Sequence, residues 1–266
     1  MSQILEQIVR HKQQEVEERK SLYPEKLLER SIYFETKPLS LQKYLLRDDL
    51  TGIIAEFKRR SPSRGVINDY AAVEPTTLGY MQSGASALSI LTEKKFFGGS
   101  NEDLVIARKF NFCPILRKEF IIDPYQIIEA KSLGADAILL IASILSRGTI
   151  ADFTRIASAL GMEVLLELHD DDEINKIPAE NVVIGINNRN LKSMTTDVET
   201  SFRLIPKLPA EAVKVAESGI SSAETICRLK QAGFNGFLIG EHFMQHTRPN
   251  LACKKLINQL RRLKSC

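Results

Sequence analysis

The chain has 266 residues, 44% of them apolar and 26% charged, with a formal net charge of +3 from 36 basic and 33 acidic side chains. That balance excludes the dense one-sided basic surplus of a nucleic-acid binder, and the short runs Lys58-Arg59-Arg60 and Arg261-Arg262 do not supply one. No apolar run reaches the roughly 18 residues that a membrane helix needs, and no signal-peptide pattern opens the chain, so a cytoplasmic protein without nucleic-acid or membrane partners is expected.

About fifty residues precede the first strand signal, and within them Ile4, Ile8, Val9, Lys12 and Val16 mark out a helix with an apolar stripe. Residues 1–50 are therefore expected to form a helical extension that covers one end of the fold, with lidding of a site as a second role. Four later segments share one pattern, a glycine followed by a short spacer and an apolar run: 84–91, 134–141, 161–168 and 233–240. A glycine just past a helix ends it in the left-handed conformation, and the apolar run then reads as a strand buried on both faces. Runs at 52–57, 114–116, 182–186 and 212–216 fit the same role, giving eight candidate strands.

Helix starts fall between the strands. Ser100-Asn-Glu-Asp103 resembles a capping box, Asp123-Pro124 sets an N-cap before a first-turn proline, and Ser221-Ser222-Ala-Glu224 opens a further helix. Eight alternating units with no break in composition predict an α/β protein, a single (β/α)8 TIM barrel over residues 1–266. The alternative is a doubly wound open sheet, which the lack of G-x-G-x-x-G after the first strand weakens.

Barrel enzymes carry their chemistry at the C-terminal strand ends. Those ends read Glu56-Phe-Lys58, Thr92-Glu-Lys-Lys-Phe-Phe97, Arg117-Lys118-Glu119, Glu167, Asn187-Asn188-Arg189, Glu217-Ser218-Gly219 and Gly240-Glu241. Glu56, Glu167 and Glu217 stand inside apolar runs, where a buried carboxylate is costly unless paired, and Lys58 and Lys118 are the natural partners. Gly219 and Gly240 precede helix starts after strands seven and eight, the place where barrels often hold phosphate. A small phosphorylated anion is the expected ligand.

His242 and His246 stand four apart, but a zinc site normally needs a third ligand and none is evident nearby, so they read as a surface pair. His169 reads as a bystander at the mouth and His11 as a surface residue. Cys113, Cys227, Cys253 and Cys266 form no C-x-x-C pair and read as thiols in a reducing compartment.

The stretch Glu56-Phe-Lys-Arg-Arg-Ser-Pro-Ser-Arg-Gly65 resembles the signature of the indole-3-glycerol-phosphate synthases. So do the stretches Leu91–Ser100, Leu116–Phe120, Ile184–Arg189 and Ala216–Ile220, in family order and over essentially the whole chain. The resemblance implies ring closure of 1-(o-carboxyphenylamino)-1-deoxyribulose 5-phosphate with loss of carbon dioxide and water, without a metal or organic cofactor. It also implies Lys118 as general acid and Glu167 as general base, with Lys58 sharing the acid role or holding anionic groups. Glu56 would set the charge and position of Lys118. Asn187, Arg189, Glu217 and Ser61 would line the substrate, Phe97 and Phe120 would flank its aromatic part, and Ser218, Gly219, Gly240 and Glu241 would bind phosphate largely through backbone. Two readings compete with it: another phosphate-handling barrel such as phosphoribosylanthranilate isomerase, and a catalytically silent ligand-binding barrel. Association with other tryptophan-pathway enzymes is left open.

Overall fold

The computed structural model describes residues 3–191 and 193–263. Its centre is a closed barrel of eight parallel strands: β1 (Ile53–Phe57), β2 (Ala87–Leu91), β3 (Ile115–Lys118), β4 (Ala137–Ile141), β5 (Glu163–Leu168), β6 (Val183–Asn187), β7 (Lys214–Glu217) and β8 (Gly236–Ile239). Each strand pairs with its successor, and β8 returns to β1 with Phe237 opposite Ile53. The helices Val73–Ser83, Asn101–Phe110, Tyr125–Ser132, Arg147–Ala159, Glu199–Leu204, Ala223–Gln231 and Pro249–Arg262 alternate with the strands. The link from β5 to β6 is a 3-10 turn, Asp171–Lys176, in place of an α-helix. The expected caps form: the Ser100 and Ser222 hydroxyls accept from the backbone N–H of Asp103 and Thr225, and Gly84, Gly134, Gly161 and Gly233 all take positive φ.

Side chains alternate across a strand with a period of two, and this arithmetic builds the site. Ile54, Leu116, Leu165 and Val215 share one buried cluster inside the barrel. Two residues further along the same strands, on the same inward face, stand Glu56, Lys118, Glu167 and Glu217. Lys118 thus lies inside β3, one of the places where the strand extends past its expected end. The opposite end of the barrel is sealed by Leu41 and Leu45 of the short helix Leu41–Leu45, which join that inner cluster. A second, larger cluster fills the layer between the strands and the outer helices.

Helix α1 (Gln3–Leu22) crosses the C-terminal mouth. It buries Leu5, Ile8, Lys12 and Val16, so the stripe runs through Leu5 rather than Ile4 and Val9, which are half-buried. Its polar anchors are specific. Lys12 Nζ lies 3.1 Å from Glu119, Lys20 Nζ lies 2.7 Å from Asp123, and Arg19 pairs with Glu129. The Tyr125 hydroxyl donates to the carbonyls of Arg19 and Tyr23, at 3.1 and 2.9 Å.

Cys113 and Cys253 are buried free thiols. Cys266, read as a fourth thiol, lies outside the described residues. No described helix is long and apolar enough to cross a membrane.

Candidate active site

The mouth of the barrel holds a cavity of about 860 Å³ walled by strand ends, by Ile4, Leu5 and Ile8 of α1, and by the loops after β1 and β6. Every residue anticipated at the site from the sequence lines it: Glu56, Lys58, Ser61, Phe97, Lys118, Phe120, Glu167, Asn187, Arg189, Glu217, Ser218, Gly219, Gly240 and Glu241.

Its charged floor is an ion network. Lys118 Nζ stands 2.5 Å from Glu217 and 3.0 Å from Glu167. Glu56 pairs instead with Lys58 at 2.8 Å, so the direct partners of Lys118 come from β5 and β7, and Glu56 acts on it only over a longer distance. Glu56 lies opposite Ser89 and reaches forward to Lys58 on its own strand end, while Glu167 and Glu217 turn to Lys118. Burial opposes the charge on Lys118, but Glu217, Glu167 and Glu56 together hold its ammonium well above the usual lysine range. The two carboxylates that share it are driven apart. Burial works against the charge of Glu167 too, yet Lys118 and His169 hold it below the usual carboxylate range, while burial pushes Glu217 up to about 7 with Glu167 adding to the effect. Two titratable groups with opposed shifts at one point is the pattern that separates a base from a group able to carry a proton.

Two phenylalanines stand at one side of the cavity, Phe97 and Phe120, with ring centroids 5.9 Å apart and planes inclined at 39°. Both are half-buried, and Phe120 also packs against the inner core. Across the cavity, Ser218 and Gly219 have φ of 67° and 74°. Two successive left-handed residues turn the chain sharply as it leaves β7 and bring backbone to the cavity wall, the concave arrangement that suits an anion. Asn188 fixes this turn by donating to the Ser218 carbonyl at 3.0 Å. Gly240 opens the short helix Glu241–Met244.

The Glu241 side chain departs from a purely backbone role. Its carboxylate accepts from Arg64 Nε at 2.9 Å and from Arg189 at 3.4 Å, and Arg189 also donates to the Met194 carbonyl at 3.2 Å. The Arg189 guanidinium, expected to line the substrate, is thus held here by a carboxylate of the chain itself.

His169 is the group that reading by strand ends passed over. Its side chain is 8% exposed; Nε2 lies 3.2 Å from Glu167 and Nδ1 lies 3.6 Å from Glu173. The available signal is its position two residues after Glu167, on the same face of the extended chain. His242 and His246 form an edge-to-face pair with centroids 5.9 Å apart. His11, Glu15 and Glu93 also converge, with ligand atoms within 4.8 Å of one another. The Lys12 ammonium, 2.7 Å from Glu15 and 3.1 Å from Glu119, already supplies the positive charge there.

Residues 5–256 match the family model described as indole-3-glycerol phosphate synthase. A protein of that name from Bacteroides thetaiotaomicron is 49% identical over 249 residues, covering 94% of this chain and 95% of the relative. Those from Salinibacter ruber and Carboxydothermus hydrogenoformans are each 42% identical, over 256 and 262 residues, with coverage of 95% of this chain and 94% and 99% of the relatives. Among solved structures, a thiamine phosphate pyrophosphorylase from Pyrococcus furiosus superposes with a TM-score of 0.59 at 13% identity, over 84% of this chain and 98% of that one. A mutant tryptophan synthase alpha-subunit from the same organism gives 0.57 at 15%, over 80% and 98%. At such identities the structural likeness speaks for the barrel fold alone.

Proposed function

The chain belongs to the indole-3-glycerol phosphate synthase family, and on that premise we propose that Lys118 and Glu167 are the acid and base of its ring closure. The protein is a carboxy-lyase of tryptophan biosynthesis, acting on 1-(o-carboxyphenylamino)-1-deoxyribulose 5-phosphate to give indole-3-glycerol phosphate. Membership of this family decides against the isomerase reading. The observation that carries the residue assignment is Lys118 Nζ held 3.0 Å from Glu167 and 2.5 Å from Glu217 on the cavity floor.

In this reading the substrate phosphate lies against the backbone of Ser218, Gly219, Gly240 and Glu241, and the carboxyphenyl ring lies beside Phe97 and Phe120. Lys58 and Arg189 face the ring carboxylate, with Ser61 close by. The ring carbon bearing that carboxylate attacks the ketone carbon, and Lys118 gives its proton to the ketone oxygen, which becomes a hydroxyl. The carbon–carboxylate bond then breaks, carbon dioxide leaves, and its electron pair restores the aromatic ring. The hydroxyl departs as water with a second proton from a cationic group, and Glu167 removes the carbon-bound proton that completes the indole. Lys118 is suited to the first step because three carboxylates keep it protonated. Glu167 is suited to the last because its own neighbours keep it ionised. Glu217 and Asn187 hold Lys118 and the substrate in register, and Glu56 holds Lys58.

Incubating the protein with this substrate and a chelator while following indole fluorescence tests the activity. A rise establishes ring closure without a free metal ion. A flat trace with substrate bound returns the silent-barrel reading, and a flat trace without binding contradicts the substrate class.

A further inference from the structure

The ion pairs around Glu167 leave a question that the acid–base scheme alone does not answer. To protonate the ketone, Lys118 must turn away from Glu167 and Glu217 toward the substrate. Glu167 has a side chain only 5% exposed, and a buried carboxylate that loses its counter-charge takes up a proton or reorients. Oε2 of Glu167 is the oxygen that meets Lys118. Oε1 faces the other way, 3.2 Å from His169 Nε2. The imidazole is backed by Glu173, whose Oε2 lies 3.6 Å from Nδ1 and also accepts the backbone N–H of His169 at 2.7 Å. That backbone bond ties the 3-10 turn Asp171–Lys176 to the end of β5 and sets the distance between the two acids.

We propose that His169 is a positioning residue for Glu167, a fixed positive charge that keeps the base ionised and aimed into the cavity while Lys118 is engaged with substrate. The proposal rests on the assignment of Glu167 as base. The charged groups facing the imidazole are Glu167 from β5 and Glu173 from the 3-10 turn; Lys118 of β3 and Glu217 of β7 lie beyond it, on the far side of Glu167. Neither ring nitrogen makes an aligned hydrogen bond in this state, so the tie is electrostatic and survives small movements of the carboxylate. Burial opposes the imidazolium, yet the flanking acids push it up to about 10, so it stays charged throughout the neutral range. The arrangement divides the two oxygens of Glu167 between a mobile cation, which does chemistry, and a stationary one, which does not.

The test is the pH dependence of kcat for His169→Gln beside wild type and Glu167→Gln. Loss of the cation raises the carboxyl pKa of Glu167, so the acidic limb of the His169→Gln profile moves up by about one pH unit. Turnover on that acidic limb then falls several-fold and recovers as pH rises toward neutral. A limb at its wild-type position, with activity lowered equally at every pH, overturns the proposal while leaving Glu167 as base, provided Glu167→Gln is inactive. Turnover retained by Glu167→Gln overturns both. Should His169→Gln fold poorly, ring-nitrogen NMR on the wild-type enzyme serves as the second readout. His169 doubly protonated at pH 8 is the expected result, and a neutral ring there contradicts the proposal.

Discussion

Gly185 makes room for Glu217. A Cβ at position 185 would stand 2.2 Å from Oε1 of Glu217 and 3.2 Å from Cδ1 of Leu165. Gly240 does the same for Glu56, whose Oε1 would lie 2.4 Å from an added Cβ. Gly240 has φ of −122°, a value open to any residue, so steric room explains this glycine better than a turn does. Two of the carboxylates in the charged floor thus depend on a hydrogen atom where every other residue would place a carbon.

Gly185→Ala is therefore expected to drive the Glu217 carboxylate off Lys118. Overpacking of this kind costs about 1–3 kcal/mol, and because the displaced group is an ion-pair partner, kcat should fall by about tenfold or more. Steady-state kinetics beside a thermal melt checks it. A stable variant with unchanged kcat would show that Glu217 has another place to go.

Glu241 neutralises Arg64 and Arg189 beside the backbone proposed to hold the substrate phosphate. Removing its charge in Glu241→Gln frees both guanidiniums for an anionic substrate. KM is expected to fall a few-fold at low ionic strength, and the gain should fade as salt screens the field. A raised KM would mean instead that the carboxylate is needed to hold the two arginine-bearing loops.

The mouth helix is tied down by a buried network whose pH behaviour has a definite sign. Burial opposes the charge of Glu129, but Arg117 and Arg19 hold its carboxyl below the usual range. A depressed carboxyl contributes stability that is fully present above the unfolded value of 4.5 and is lost as pH falls below it through the folded value. Glu129→Gln leaves Arg117, only 2% exposed, without its carboxylate, and should cost about 3 kcal/mol at neutral pH. The same variant should show a flatter loss of stability under acid, measured by denaturant melts from pH 7 to pH 3. An acid limb as steep as wild type would place the titrating carboxylate elsewhere.

Lys12 should behave as a structural ion. It sits 2% exposed between Glu15 and Glu119, and its replacement by methionine strands Glu119, which also accepts from the Thr92 hydroxyl and the Phe120 N–H. A loss of about 3 kcal/mol is expected, and limited proteolysis should cut within α1 before the barrel. Cleavage that begins in the barrel would contradict docking of α1 through this ion.

Period and punctuation carried the barrel. Glycines at the ends of helical stretches and apolar runs of strand length are local signals, and the structure places them as expected. The charged floor was legible for the same reason: a glutamate within a run such as Val-Leu-Leu-Glu-Leu has no solvent to face. What escaped is pairing. Whether Glu56 meets Lys58 or Lys118 depends on where side chains from different strands turn inside the closed barrel, which no single strand encodes. The link after β5 closes as the 3-10 turn Asp171–Lys176, and that turn places Glu173 beside His169. Gly185 has no local signature at all, because the group it admits arrives from the next strand.

The central claim is that Lys118 donates the proton that starts ring closure, and Lys118→Ala tests it most directly. Circular dichroism and a thermal melt first establish that the variant is folded; indole formation is then followed at saturating substrate. Near-complete loss of kcat with substrate still bound is expected. Turnover within a few-fold of wild type would contradict it and move the acid to another group at the mouth, Lys58 first.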